Sequence, residues 1–397
     1  MSNRILTRVS DAELERRWAA MRAAMRISRL DALVLQANND WLGGYVRWLT
    51  DIPATNGYPR SIIFRAEAPM TVVEMGAFRS RRSLMDDDVN RGVADWFGTP
   101  SFTSIEYTGG YDAELIAADL RRGGDRRVAL VGGGAMPHRF VETIRTALAE
   151  DGAALSDATA LVDAIKAVKS AEEIVLIRQA AALQDTVFAA VLAAIRPGMR
   201  DIDVTAMAQY QGQILGSEQG IFLGGSSPLG QRSSFLGRSQ QGRRLKAGDH
   251  LSLLIEINGP GGFYTEIART FVLGRASNEL SEAFEAVRAA QEHTLSLIRP
   301  GADCAMIAAA HDAYMTARSL PPECRLYAHG QGYDMVERPL IRHDETMALA
   351  AGMCLAIHPG YETESLFAVI CDNYLVTETG VSACLHQTEK RVFEVEG

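Results

Sequence analysis

The fold of the second half of the chain is decided by one stretch, Leu253-Leu-Ile-Glu256-Ile-Asn-Gly-Pro-Gly-Gly-Phe-Tyr-Thr-Glu266-Ile-Ala-Arg269. An apolar run, a turn rich in Gly and Pro, and a second alternating run predict a β-hairpin. Each arm carries one acid, Glu256 or Glu266, among apolar neighbours. Acidic side chains are rarely buried without partners. The pair therefore indicates either a functional site or a solvated strand edge.

A histidine between flexible residues follows in Ala328-His329-Gly-Gln-Gly-Tyr-Asp-Met-Val-Glu337. Glycines next to a histidine let the backbone approach a ligand closely, and an acid nearby can orient or neutralise the imidazole. We therefore expect His329 to act in a site with support from Glu337. The alternative is a loop histidine whose ring pairs with local carbonyl groups.

Two further segments carry reactive side chains at strand positions. His358 comes directly after the apolar run Cys354–Ile357 and before Pro359-Gly360, where a strand end presents its side chain to a cleft. Cys371 and Asp372 are neighbours within a predicted strand over 368–376. Successive strand residues point to opposite faces, so only one of these two can face a site.

The rest of the sequence indicates two domains. In the first half, a helix over 11–29 with Asp11 as its N-cap and short apolar strands such as Ala32–Leu35 predict an α/β domain over 1–165. The second domain, 166–397, opens on Ser170 and Glu173, which are spaced as a capping box. Runs of helices beside runs of strands then predict an α+β domain with a largely antiparallel sheet.

Composition limits the classes of partner. The 397 residues include 40 basic and 49 acidic side chains, and the net charge of −9 disfavours nucleic acid and anionic lipid. The five cysteines include no Cys-x-x-Cys pair, which argues against disulfides and a zinc knuckle. Charged residues are spread through the first thirty positions, which argues against a signal peptide. The longest uninterrupted apolar run is too short for a membrane span. We expect a cytoplasmic protein without a membrane segment that binds a small molecule.

The order of these segments resembles the pita-bread fold family of creatinase, prolidase, aminopeptidase P and methionine aminopeptidase. Arg269-Thr270-Phe271, the spacing from His329 to His358, and Gly352-Met353 before the strand all match that family. The resemblance covers essentially the whole chain and implies a pita-bread catalytic domain after a smaller α/β domain. It also implies a homodimer.

The metal-ligand positions of this family are changed in the sequence. The resemblance implies two divalent ions held by Asp, Asp, His, Glu and Glu, and the matching residues here are Glu256, Glu266, His329, His358 and Cys371. The hairpin is one residue shorter, a second family histidine is replaced by Val336, and a third is missing from 235–244. Replacing bridging carboxylates by an imidazole and a thiol removes the charge that a dinuclear centre requires.

We therefore predict a hydrolase without a metal cofactor that cleaves a carbon–nitrogen bond in a small cationic or amino-acid-like substrate. The resemblance to creatinase extends to hydrolysis without a metal ion. It does not extend to the catalytic histidine of creatinase, which has no counterpart in this sequence. The predicted catalytic residues are His329, His358 and Glu266, and the predicted substrate-binding residues are Glu256, Glu337, Cys371 and Asp372. The alternatives are an Xaa-Pro peptidase with a single zinc or manganese ion, a lyase, and a binding module without activity.

Overall fold

The computed structural model describes residues 7–39 and 43–397. The chain divides into two compact units, of which one is Arg8–Lys166 and the other contains Ala167–Gly397. Each unit has its own sheets and its own apolar core.

The first unit is a mixed α/β layer structure. Its helices are α1 (Asp11–Ile27), α2 (Gly44–Thr50), α3 (Tyr111–Gly123), α4 (His138–Glu150) and α5 (Thr159–Ala167), with short 3₁₀ turns at Glu106–Thr108 and Gly133–Ala135. Its strands are β1 (Ala32–Ala37), β2 (Arg60–Arg65), β3 (Met70–Met75), β4 (Arg81–Ser83), β5 (Val93–Thr99), β6 (Arg127–Val131) and β7 (Ala154–Asp157). Within the described residues these strands form one sheet in the order β4-β5-β3-β2-β1-β6-β7. Parallel pairs at β1–β6, β6–β7 and β3–β5 confirm the predicted α/β class.

Helix α1 begins one residue earlier than its predicted cap implies. Ser10 is the N-cap, and its Oγ accepts a hydrogen bond from the backbone N–H of Glu13 at 3.1 Å. Asp11 is the first helical residue instead of the cap, so that prediction is wrong. The helix ends at Ile27, because Arg29 adopts a positive φ of 53° that no helical residue has.

The second unit carries four longer helices and the remaining strands. The helices are α6 (Ala171–Ala194), α7 (Asp201–Ile214), α8 (Asn278–Leu297) and α9 (Cys304–Ala317), with 3₁₀ turns at Arg238–Gln240 and Pro260–Gly262. The strands are β8 (Gly220–Pro228), β9 (Asp249–Asn258), β10 (Tyr264–Leu273), β11 (Ala328–Gly330), β12 (Glu337–Leu340), β13 (Cys354–Ile357), β14 (Gly360–Glu362), β15 (Phe367–Val369), β16 (Asp372–Leu375) and β17 (Phe393–Val395). Within the described chain they form sheets β17-β10-β9-β8 and β12-β11-β13-β16 and the pair β14-β15.

Helix α6 is the main packing element of this unit. The predicted capping box is present, since Ser170 Oγ accepts from Glu173 N and the Glu173 carboxylate accepts from Ser170 N. Its residues Val187, Phe188 and Val191 are buried in the core over β9 and β10. By length and composition alone, the described chain has this one helix that could cross a membrane, and 44% of its most apolar window is buried. A single helix of this kind is weak evidence for a membrane span, because an apolar helix in the core of a protein passes the same test.

The strand predicted over 368–376 is interrupted. Strand β15 pairs with β14, whereas β16 pairs with β13 in another sheet. Between them Cys371 forms an isolated bridge with Ala268 of β10. The prediction of one continuous strand is wrong because the chain crosses from one sheet to another at Ile370 and Cys371.

A buried ion pair joins this crossing to the hairpin. Arg269 on β10 donates to Asp372 Oδ1 at 2.6 Å, and both side chains are fully buried. The same guanidinium also donates to the carbonyl oxygens of Ala268, Cys371, Thr388 and Glu389. Arg269 therefore ties three chain segments together.

Replacing Arg269 by methionine is expected to destabilise the protein by about 3 kcal/mol, because buried Asp372 loses its direct ion pair and keeps only the more distant Lys390 at 3.7 Å and the amide of Gln291. Urea unfolding measures this change. The control is Arg288→Gln, which removes solvent-exposed pairs with Glu285 and Glu292 on α8 and should cost less than about 1 kcal/mol. Equal losses in the two variants would contradict a structural role for the Arg269 pair.

A second charged network, centred on Glu345, holds the segment that follows β12. The Glu345 carboxylate accepts from the Arg338 guanidinium and from the backbone N–H groups of Leu340, Thr346 and Met347. Burial alone raises the pKa of this carboxyl, but these hydrogen bonds outweigh it and lower the pKa to about 2. The ionised form of Glu345 therefore stabilises the folded state.

Because the folded pKa of Glu345 lies below its unfolded value, this stabilisation is complete above about pH 4.5 and is lost as the pH falls towards about 2. We expect Glu345→Gln to lower the free energy of unfolding by about 2 kcal/mol at pH 7. The difference from wild type should shrink between pH 4.5 and 2.5 in denaturant titrations. Glu364→Gln, at an exposed position, is the control, and a constant difference for Glu345→Gln over that range would contradict the assignment.

Candidate active site

Two buried acids face each other across the β9–β10 hairpin. Glu256 and Glu266 are register partners, and their exposed fractions are 5% and 4%. Side chains directly opposite in an antiparallel pair have Cβ atoms about 5 Å apart. The two acids therefore do not lie on a solvated edge, which was one of the two possibilities that the sequence left open.

The two predicted histidines meet one of these acids. His329 lies in β11 and His358 follows β13, the strand that pairs with β11, and their ring centroids are 5.1 Å apart. His329 Nε2 is 3.7 Å from Glu266 Oε2. Donor atoms of Glu266, His329 and His358 all lie within 4.8 Å of one another. The structure thus brings the three predicted catalytic residues together.

Local hydrogen bonds define the tautomer of one imidazole. His329 Nδ1 is 2.9 Å from the carbonyl oxygen of Gly330, which can only accept, so Nδ1 carries the proton. The unprotonated Nε2 then faces Glu266. His358 Nε2 is buried and has no hydrogen-bond partner among the described residues. It is therefore available to a bound species.

The other acid of the hairpin is held by an amide that the sequence analysis did not single out. Gln331 Nε2 donates to Glu256 Oε1 at 2.7 Å, and Gln331 Oε1 accepts from Asn373 Nδ2 at 2.7 Å. Asn373 Oδ1 in turn accepts from the backbone N–H of Glu266 at 2.7 Å. The sequence did contain a signal for Asn373. It lies two positions after Cys371, and residues two apart in a strand share a face.

Of the two neighbours at the strand crossing, the cysteine is the one next to the acids. Cys371 Sγ donates to the backbone carbonyl of Glu266 at 3.5 Å, and burial, reinforced by the nearby Glu266, raises the pKa of the thiol well above its usual value. A thiol in this state packs and hydrogen-bonds instead of acting as a nucleophile. Asp372 points away and pairs with Arg269, so its predicted role in substrate binding is corrected to a structural one.

Glu337 is also placed differently from its predicted role. Its carboxylate pairs with Lys169 Nζ at 2.9 Å and accepts from the backbone N–H of Asp334. The imidazole of His329 takes its orientation from Gly330 instead. Glu337 therefore fixes the glycine-rich loop after β11 and does not orient the histidine.

Burial sets the protonation states in the cluster. It raises the pKa of Glu266 to about 7, and burial with the nearby charge of Glu266 raises the pKa of Glu256 well above its usual value. Burial also lowers the pKa of His329 to about 4 and that of His358 well below its usual value. Near neutral pH both imidazoles are neutral proton acceptors, and the carboxyl pair is the proton donor.

A cavity lies beside the chain segment that follows His358. Arg325 donates to the carbonyl oxygen of His358 at 3.2 Å and lines a cavity of about 490 Å³. The aromatic rings of Phe235, Tyr361 and Phe367 form much of the remaining wall. A small molecule of moderate polarity fits this volume.

The donor set does not fit the dinuclear centre that the family resemblance implies. Within the described residues, Glu266, His329 and His358 are the group whose donor atoms lie together, while the Glu256 carboxylate is bonded to Gln331. The thiol of Cys371 contacts a backbone carbonyl. Two imidazoles and one carboxylate are instead sufficient ligands for a single zinc-like ion.

Comparisons with known proteins agree with the fold. The model of metallopeptidase family M24 matches residues 175–378. An uncharacterized hydrolase/peptidase of Sinorhizobium fredii is 27% identical over 391 residues, 93% of each chain. A probable dipeptidase PepE of Mycobacterium tuberculosis is 29% identical over 238 residues, covering 58% of this chain and 62% of that protein.

Solved structures extend the similarity to both units. Dipeptidase PepE from Mycobacterium ulcerans superposes with a TM-score of 0.76 at 24% identity, covering 98% of this chain and all of that one. Prolidase from Pyrococcus horikoshii gives a TM-score of 0.72 at 18% identity, with 94% and 99% covered. The family match, which spans half of the chain, and these folds establish that the protein belongs to metallopeptidase family M24 and is a hydrolase-family member with the pita-bread fold.

Proposed function

We propose that the protein hydrolyses a carbon–nitrogen bond in a small cationic substrate of the amidine or amino-acid-like class, without a metal ion. One observation carries this proposal: Glu256 and Glu266 are buried opposite each other. Across residues 7–39 and 43–397 no lysine or arginine forms an ion pair with either carboxylate. Arg325 acts on Glu266 only at a distance, and a buried acid pair without an ion-paired cation favours a ligand that supplies positive charge.

An amidinium group suits such a pair. It is planar, carries one positive charge and presents N–H donors that match carboxylate oxygens in the way a guanidinium does. A bound amidinium favours the ionised form of Glu256, whose Oε2 then accepts from such a donor while its Oε1 accepts from Gln331. The cavity of about 490 Å³ beside His358 leaves room for the rest of a small substrate.

The residues support a balanced hydrolytic step. His329 Nε2 accepts a proton from water, and the oxygen adds to the electrophilic carbon. The carbon–nitrogen bond then breaks, and the leaving nitrogen takes the proton of Glu266, whose pKa of about 7 suits a general acid. His329 returns its proton to Glu266 across 3.7 Å, which restores the starting state.

A single divalent ion is the second candidate. The donor atoms of Glu266, His329 and His358 lie within 4.8 Å, and the buried Nε2 of His358 has no partner among the described residues. An ion there would supply an activated water at neutral pH. Several relatives are named dipeptidases or Xaa-Pro dipeptidases, so a peptide substrate belongs to this alternative. A binding module without turnover remains a third possibility.

We propose in addition that the protein acts in the cytoplasm as a homodimer with a small-molecule substrate and without nucleic-acid or membrane partners. The family resemblance supports the dimer, and the net charge of −9 supports the absence of nucleic acid. Sedimentation of the purified protein tests the oligomeric state.

The proposed reaction is tested first by elemental analysis of the purified protein, with activity assays on cyclic and open-chain amidines and on Xaa-Pro dipeptides. We expect less than about 0.1 metal ion per chain and turnover of an amidine that a chelator leaves unchanged. Stoichiometric zinc or manganese with chelator-sensitive dipeptide cleavage would establish the single-ion alternative. Thermal stabilisation by an amidine without turnover would indicate a binding module.

The roles of the acids and the histidine are tested by substitution. Glu266→Gln and His329→Ala should each lower kcat/KM by about 10²–10⁴-fold, because each removes a group that transfers a proton. Glu285→Gln, on the exposed side of α8, is the control for a change of the same type. Unchanged turnover in either site variant would overturn the assigned roles.

The pH dependence has a defined sign. In the free enzyme, kcat/KM should rise as His329 loses its proton near pH 4 and fall as Glu266 loses its proton near pH 7. A plateau between these values is therefore expected in a rate profile measured from pH 3.5 to 9. A rate that keeps rising above pH 8 would exclude Glu266 as the general acid.

A further inference from the structure

A chain of buried amides connects the two acids of the site. Asn373 Oδ1 accepts from the backbone N–H of Glu266, Asn373 Nδ2 donates to Gln331 Oε1, and Gln331 Nε2 donates to Glu256 Oε1. We call these two side chains, Gln331 and Asn373, the amide relay. Both are fully buried and neither was assigned a role by the sequence.

The backbone fixes the direction of every bond in the amide relay. The N–H of Glu266 can only donate, so the atom of Asn373 that faces it must be the oxygen. The nitrogen of Asn373 then faces Gln331, which must accept through its oxygen. Gln331 is left to donate its own nitrogen to Glu256. His386 Nε2 lies 3.3 Å from Asn373 Oδ1, and in its Nε2–H tautomer it donates to the same oxygen.

We propose that Gln331 and Asn373 are positioning residues that set the spacing and orientation of Glu256 and Glu266 for substrate, an inference that rests on the proposed function. Because Oε1 of Glu256 receives an N–H, a proton on this carboxyl lies on Oε2, and Oε2 is the atom that meets the ligand. Asn373 also fixes the backbone at Glu266. One asparagine therefore controls the placement of both acids.

The hydrogen-bonding groups of an amide explain why the amide relay consists of two such side chains. Each amide accepts on one side and donates on the other, so the pair transmits direction from a backbone N–H to a carboxylate over two links. A carboxylate at either position accepts only and interrupts the chain. If the Gln331 amide turned round, its oxygen would face an oxygen of Glu256. Two acceptors would then meet in a buried site without a hydrogen bond between them, which is costly.

The test uses Asn373→Asp, which keeps the acceptor for Glu266 N–H and removes the donor to Gln331. Gln331 is expected to turn, directing its nitrogen at the new carboxylate and its oxygen at Glu256. With glutamine-selective ¹⁵N labelling, the side-chain amide signal of Gln331, assigned through Gln331→Met, should shift, because its N–H group exchanges the Glu256 carboxylate for the new carboxylate as its acceptor. This readout needs no substrate, so it separates failure of the relay from failure of the proposed function.

The matched control is Asn258→Asp. Asn258 is also a fully buried asparagine, and its Oδ1 accepts from backbone N–H groups while its Nδ2 donates to Glu218. This variant should lose stability without moving the Gln331 amide signal. An unchanged Gln331 signal in Asn373→Asp, or an equal change in the control, would overturn the proposal.

Kinetics with an amidine that the wild type turns over provide the second measurement. Asn373→Asp should lower kcat by about 10–100-fold, a loss of the size that misplaced groups cause, while Asn258→Asp stays near wild type. Gln331→Met, which fills similar space and cannot donate to Glu256, should lower kcat by a similar factor. Wild-type activity in Gln331→Met would show that the side chain fills space and does not position Glu256.

Discussion

The structure of the second unit depends on the burial of two like acids opposite each other. Removing a carboxylate from water is costly, and a second carboxylate on the facing strand adds repulsion. The surrounding groups reduce this cost through the amide of Gln331, the neutral imidazoles of His329 and His358, and retained protons on the acids. These contacts and protons take the place of the water that the two acids lose on burial.

Strand alternation separates this reactive region from the ion pair that stabilises the fold. On β10, Glu266 and Arg269 lie three positions apart and so point to opposite faces. Where the chain passes from one sheet to the other, Cys371 and Asp372 also point to opposite faces. The thiol lies beside Glu266, and the carboxylate pairs with Arg269. The strongest fixed charge pair of this region is thus kept on the other face of the sheet, where it cannot neutralise the acids of the site.

Local patterns in the sequence predicted much of this arrangement. The hairpin, the capping box at Ser170, strand β13 and the convergence of Glu266 with both histidines follow from alternation, turn residues and the family resemblance. Asp372 was misplaced because its partner lies 103 residues away, and no local pattern marks a pairing of that kind. Gln331 and Asn373 were missed because a neutral amide carries no charge signal, and because the role of each depends on contacts with other strands.

Charge explains how a fold shared with metallopeptidases can carry a different site. The family set that the sequence resembles brings four carboxylates to two divalent ions, so the charges balance. The resemblance implies that His358 and Cys371 stand at two of those positions, and Glu256 and Glu266 supply at most two negative charges. Two divalent ions would leave an uncompensated positive charge in a buried pocket, which costs several kcal/mol or more. One monocation beside an acid pair that shares a proton leaves the pocket neutral, and the proposed cationic substrate rests on this charge balance.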